Sequence, residues 1–196
     1  MKTYPRARTL ASMLLLAGGM CLAPAASAAD VAGVMVAEHV SEGTQTLVLN
    51  GAGVRKRVVF DVYVAALYTT VKSEDASAII NSTQPRRLQL TLLRDIGSDA
   101  LVQALNDGLA DNTTPEELAA LNAASSEFKT IMTSVGQGLK GDTIELNFTA
   151  TGVAVKFKDK ALGEVKDPGF AAALMRVWLG AKPAQNSLKR ALLGQK

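Results

Sequence analysis

LVLNGAGVRKRVVFDVYVAALY, residues 47–68, is the stretch from which the rest of the chain can be read. A small-residue break, Asn50-Gly51-Ala52-Gly53, precedes a basic triplet, Arg55-Lys56-Arg57. Residues 58–68 are then apolar apart from Asp61, Tyr63 and Tyr68. Val, Phe and Tyr at this density predict buried strand rather than helix, because branched and aromatic side chains pack well on a pleated surface. Gly51 and Gly53 mark a bend, or a place where something approaches the backbone closely. An arginine beside such a break, with tyrosines in an apolar strand, is one way an apolar pocket acquires a polar end. A surface hairpin with a solvated basic turn is the plainer reading, and composition alone favours it.

Outward from this stretch, strands are expected over 31–36 and 44–50, joined by a polar connection through His39. A short helix is expected over 73–81, capped by Ser73, with Glu74 and Asp75 favouring its dipole. Leu88, Leu90 and Leu92 alternate with Gln89 and Thr91, the pattern of a half-buried strand. Two helices should follow. One is capped by Ser98 and carries Leu101, Val102, Leu105 and Leu109 on one face. The other opens on Thr114-Pro115 with Glu117 completing a capping box, and runs to a stop at Gly136 and Gly138. A meander of strands over 143–148, 153–157 and 161–165 leads to a helix capped by Asp167 and a last helix over 185–193. Strands before and after a helical block, without a βαβ rhythm, imply an α+β fold: an antiparallel β-sheet covered on one face by helices.

Residues 1–28 read as a cleavable signal peptide rather than fold. Lys2, Arg6 and Arg8 form a basic start, residues 10–22 an apolar run, and Ala26-Ser27-Ala28 a small-x-small cleavage site. The expectation is an exported protein, periplasmic or secreted, with a single domain over 29–196. Three of the 21 Lys and Arg residues, and none of the 18 acidic ones, precede the cleavage site, so the net charge falls from +3 to zero. Nucleic acid and membrane partners therefore gain no support from overall charge. Cys21, the sole cysteine, lies in the removed segment, which excludes disulfides, thiolate metal sites and cysteine nucleophiles from the domain. At 48% hydrophobic residues the domain can rely on its core.

The chemistry legible in the residues is sparse. His39 is the only histidine, so no Ser-His-Asp relay or histidine metal cluster is evident, and no metal or cofactor is expected. Gly51-Ala52-Gly53 lacks the third glycine and the following helix of a dinucleotide site. Elimination leaves Arg55, Tyr63 and Tyr68. With Tyr4 in the leader, these are the only tyrosines of the domain, and both fall in the opening stretch. In an unbroken strand Tyr63 shares a face with Asp61, Ala65 and Leu67, and Tyr68 shares the other with Phe60, Val62 and Val64. Tyr68 reads first as a core aromatic with its hydroxyl at the sheet edge, and stays a candidate ligand contact.

NGAGVR followed by VYVAALY resembles the chalcone isomerase-like family, above all its small bacterial members with secretion signals. The later Lys140-Gly141-Asp142, Asp167-Pro168-Gly169-Phe170 and Trp178-Leu179-Gly180 elements occur in the same order. The resemblance implies an open-faced β-sandwich and a small-molecule ligand. In the plant isomerases the arginine matched by Arg55 polarises the substrate ketone, and the position of Tyr63 is a threonine. In the fatty-acid-binding branch that position is a tyrosine which joins the arginine in holding a carboxylate. The resemblance therefore implies an exported binder of an amphipathic carboxylate such as a fatty acid, with Arg55 and Tyr63 at the polar end. The alternative is an intramolecular lyase closing chalcones to flavanones, in which Arg55 and Tyr63 are catalytic. A third reading is a protein whose partner is another protein. Whether the chain is an enzyme stays open. One geometric condition follows. Eight residues of continuous strand span about 26 Å, so Arg55 and Tyr63 can share a ligand group only if the chain reverses near Val59.

Overall fold

A computed structural model describes Met1 and residues 28–195. The signal-peptide features at Lys2, Arg6, Arg8, residues 10–22 and Cys21 lie outside the described residues.

The chain opens with a hairpin of β1 (Ala28–Val31) and β2 (Val34–Ala37). Where one strand over 31–36 is expected, the chain reverses at Ala32-Gly33, both at positive φ (52° and 80°), and Asp30 Oδ1 accepts from the Gly33 amide at 3.0 Å. The polar connection through His39 is itself an edge strand, β3 (His39–Glu42), paired antiparallel with β4 (Gln45–Arg57). Its polar side chains suit an edge, where charge discourages further pairing. β5 (Phe60–Thr69), β6 (Arg86–Leu92), β9 (Thr143–Phe148), β10 (Val153–Phe157) and β11 (Lys160–Val165) complete a seven-stranded antiparallel sheet in the order β11-β10-β9-β6-β5-β4-β3. A separate two-stranded ladder joins β7 (Ile96–Gly97) to β8 (Gln137–Gly138), so Gly138, expected only to stop a helix, also pairs with another segment, and the Gly136 carbonyl accepts from the Ser98 amide at 2.7 Å.

Among the described residues six helices accompany the sheet: α1 (Ala76–Ile80), α2 (Ser98–Asn112), α3 (Pro115–Ala120), α4 (Asn122–Thr133), α5 (Pro168–Leu179) and α6 (Asn186–Leu192). Leu88, Leu90 and Leu92 of β6 and Ile144 and Leu146 of β9 pack against the buried faces of α2, α4 and α5. Phe170, Leu174 and Trp178 of α5 are almost fully buried in this layer. The opposite face of the sheet is not bare. Leu47, Val64, Ala66 and Tyr68 form a second, smaller apolar cluster with Val36 of the β1–β2 hairpin. An α+β sheet covered by helices on one face is thus the fold, with a hairpin added on the other.

Local details depart from the sequence expectations for identifiable reasons. Asn50 occupies a bulge in β4, between Leu49 opposite Tyr68 and Gly51 opposite Leu67. Its amide donates to Ser73 O (3.0 Å) and Leu192 O (2.7 Å), while its Oδ1 accepts from Ser73 N (2.7 Å). With both Ser73 backbone groups engaged by Asn50, the helix begins later. Its cap is Asp75, not Ser73, accepting from the Ser77 and Ala78 amides at 2.8 and 3.1 Å. Ser98 is the first residue of α2 rather than its side-chain cap, since the N-cap is Gly97. The single helix expected after Thr114 breaks at Leu121, whose ψ of 6° ends α3, although the Thr114 and Asp167 caps form as the residues imply.

Candidate functional site

β4 and β5 are joined by the two-residue turn Val58-Val59, with Arg57 opposite Phe60 and Lys56 opposite Asp61. A regular ladder from this turn would set Arg55 against Val62 and turn Tyr63 to the other face. The register instead shifts between Arg55 and Lys56, leaving Val62 as the extra residue and setting Arg55 directly opposite Tyr63. A one-residue slip exchanges the faces of every later side chain, so this bulge brings the pair together. It also corrects the face assignment made for an unbroken strand. Phe60, Val62 and Tyr63 all line one cavity, whereas Asp61 pairs with Lys56 at 3.4 Å. Asp61 therefore does not neutralise Arg55.

Alternate residues of β4 run beneath α6. A Cβ on Gly51 would stand 2.0 Å from the Ala191 carbonyl oxygen, and one on Gly53 would stand 2.7 Å from the Ala191 Cβ. The close approach signalled by these glycines is thus made by the chain's own last helix. Two residues further on, at the N-terminal end of α6, Gln185 Oε1 accepts from the Lys56 amide at 2.8 Å and from Arg55 Nη1 at 3.3 Å. Arg55 also donates to the Lys56 carbonyl. Half-buried, it forms no ion pair among the described residues.

The cavity has a volume of about 990 Å³ and lies between the sheet and helices α2 and α5. Leu101, Leu105, Met132, Ile144 and Val177 supply apolar wall, Arg55, Tyr63 and Trp178 supply polar groups within it, and the exposed Asp95, Gln103, Asp107, Asp111 and Lys182 line its outer edge. Arg57, Val58, Phe60 and Arg94 line it from the exposed end of the β4–β5 hairpin and the loop after β6. Tyr63 is 8% exposed, and the Trp178 indole donates to its phenol oxygen at 3.0 Å. Burial pushes the Tyr63 phenol above its usual range, opposed by the indole donor and by the Arg55 charge. It is a neutral phenol at pH 7, with its oxygen already accepting. Its own proton finds no acceptor among the described residues. A half-buried cation without an ion-pair partner among the described residues and a phenol free to donate thus meet beside the apolar wall of one cavity, a pairing suited to an anionic oxygen. Trp178 is the member of the site that residue-by-residue reasoning missed. Its place in Trp178-Leu179-Gly180 is a signal, but its direction is set only by α5 packing.

Tyr68 is not brought to this cavity. It lies on the other face of the sheet, 1% exposed, in the cluster beneath the β1–β2 hairpin. Its neighbour Arg87 is paired with Glu42 and Glu145. Burial pushes the Tyr68 phenol up to about 12, helped by Glu145 and opposed by Arg87. A raised phenol leaves its stabilising contribution intact below pH 10 and removes it as pH climbs from 10 towards 12. Alkaline denaturation followed over that window should show a shallower loss of stability in Tyr68→Phe than in the wild type. Equal slopes would contradict the raised value. His39 sits exposed on β3, away from the cavity, and no group of His, Cys, Asp and Glu among the described residues could hold a metal. No helix among them is long and apolar enough to cross a membrane.

Comparison with known proteins bears on this geometry. A search of curated proteins finds no match. Among solved structures, a fatty-acid binding protein of Arabidopsis thaliana superposes with a TM-score of 0.67 at 13% identity. The match covers 82% of this chain and 92% of that one. At such identity the likeness concerns the fold alone. The family model described as chalcone isomerase-like matches residues 28–194, almost the whole described chain, and the chain therefore belongs to the chalcone isomerase-like family.

Proposed function

We propose that this protein binds an amphipathic carboxylate, a fatty acid, with the carboxylate between Arg55 and Tyr63 and the acyl chain in the cavity. The observation that carries the reading is Arg55, which lines a cavity of about 990 Å³ with a largely apolar inner wall and a charged outer edge, stands opposite a buried phenol and has no carboxylate partner among the described residues. Removing a cation from water is costly unless an anion meets it, and a carboxylate with an alkyl tail answers both the charge and the apolar wall. The fatty-acid binding name of the Arabidopsis neighbour points the same way. Native mass spectrometry of the protein purified from its own cells should detect a bound fatty acid, released on denaturation. Protein that carries none, and that shows no saturation on titration with long-chain fatty acids, would end the reading.

The isomerase alternative rests on the same cation, which could stabilise developing enolate charge on a ketone oxygen. Ring closure of 2′-hydroxychalcone faster than in buffer, and lost in Arg55→Ala, would put that alternative first. Export belongs to the proposal too, supported by the basic and apolar segments ahead of Ala26-Ser27-Ala28. N-terminal sequencing of the exported protein should read from Ala29, and an intact Met1 there refutes the cleavage.

A further inference from the structure

The tip of the β4–β5 hairpin breaks two local rules together. Val58, Val59 and Phe60 are 90%, 79% and 57% exposed, three consecutive large apolar residues in water. Val58 also holds φ at 57°, a left-handed conformation that two-residue hairpins give to Gly or Asn and that a β-branched residue strongly resists. Folding gains nothing from either feature, and such breaches concentrate at functional sites. Met35 and Val71, exposed singly elsewhere, carry no such weight.

The surroundings of the tip indicate what it meets. Lys56 and Arg57 precede it in the hairpin, and Arg94 lies across the Phe60 ring, with its Cζ 4.9 Å from the centroid. Leu139, 48% exposed, and Lys140 adjoin the same rim, where Asp95 accepts from the Lys140 amide at 2.8 Å. Lys56, Arg57, Arg94 and Lys140 thus stand around the apolar tip with three carboxylates, Asp61, Asp95 and Asp142, of which Asp61 is engaged by Lys56 and Asp142 by Lys158 at 2.9 Å. An apolar wedge within a basic collar is complementary to a bilayer bearing anionic headgroups, where the apolar side chains reach the acyl boundary and the cations stay at headgroup level. Arg57, Val58 and Phe60 also line the cavity. The surface that would touch the bilayer is thus the rim of the cavity.

We infer that the hairpin tip Val58-Val59-Phe60, with Lys56, Arg57 and Arg94, docks the protein reversibly on anionic phospholipid bilayers with the cavity opening towards the lipid. The suggestion that a fatty acid passes between bilayer and cavity rests on the function proposed above. Docking itself does not.

Flotation with phosphatidylglycerol and phosphatidylcholine vesicles, using the exported protein, tests it. Binding to phosphatidylglycerol should exceed binding to phosphatidylcholine, and should weaken as salt shortens the screening length from about 10 Å at 0.1 M to about 3 Å at 1 M. Val59 does not line the cavity, so Val59→Asp should lower phosphatidylglycerol partitioning by about tenfold or more with fatty-acid titration and thermal midpoint unchanged. Val58→Gly should raise the thermal midpoint by relieving the left-handed valine, yet weaken vesicle binding. A tip kept for folding alone would instead leave vesicle binding unmoved. Phosphatidylglycerol binding that is absent, or identical in wild type and Val59→Asp, overturns the inference. So does tip-dependent capture of a protein partner without vesicle binding. Tip-dependent vesicle binding in a protein that takes up no fatty acid would uphold the docking surface and remove only the proposed ligand.

Discussion

Arg55→Gln should weaken fatty-acid binding by about 1.5–3 kcal/mol, or roughly 10- to 150-fold in Kd, the range for a hydrogen bond to a charged group. Glutamine retains a donor and much of the side-chain length but removes the charge that a carboxylate requires. The substitution should leave the fold intact, because Arg55 is half-buried and its contacts are with Gln185 and the Lys56 carbonyl. Tyr63→Phe is expected to cost less in affinity, about 0.5–1.5 kcal/mol for one neutral hydrogen bond. It should also lower stability, since the Trp178 indole loses the acceptor it now has at 3.0 Å. Isothermal titration of the three proteins with one fatty acid, alongside thermal midpoints, separates the two effects. Affinity unchanged in Arg55→Gln would remove the carboxylate anchor from consideration.

The second large effect is structural. Gly51→Ala should destabilise the fold by about 3 kcal/mol, at the upper end of the usual overpacking cost. The new methyl would meet the carbonyl oxygens of Ala191 and Leu192 at 2.0 and 2.8 Å, and these are backbone atoms that no rotamer change can move away. α6 would have to lift from β4, and Asn50 Nδ2 would then lose its 2.7 Å bond to Leu192 O. Because α6 also carries the Gln185 contact to Arg55, the displacement should reach the site. Denaturant unfolding measures the loss. A midpoint unchanged from wild type would mean that the helix does not rest on this glycine.

Much of the sheet was legible in the residues. The alternation over 88–92 and the meander over 143–165 have strand periodicity that no tertiary contact needs to supply. The Thr114 and Asp167 caps were equally legible, because capping is settled within three residues of chain. The failures lie where distant segments intervene. Asn50, 23 residues away, takes both backbone groups of Ser73 and delays α1 to Asp75. The polar connection at His39 becomes a strand only because β4 offers it an edge.

The candidate site divides along the same line. The sequence by itself determined which groups could serve, since after Tyr4 only two tyrosines remain and the basic triplet follows the glycine break. It also signalled a close approach at Gly51 and Gly53, though not that α6 would make it. Tertiary structure decided which groups meet. The bulge at Val62 turns Tyr63 towards Arg55, α5 delivers the Trp178 indole to the phenol, and Tyr68 is sealed beneath the β1–β2 hairpin instead. The physical reason is that side-chain facing in a strand alternates with period two, so a single extra residue reverses it. Where that residue is inserted depends on turn geometry and on both neighbouring strands, which no local pattern in residues 47–68 records.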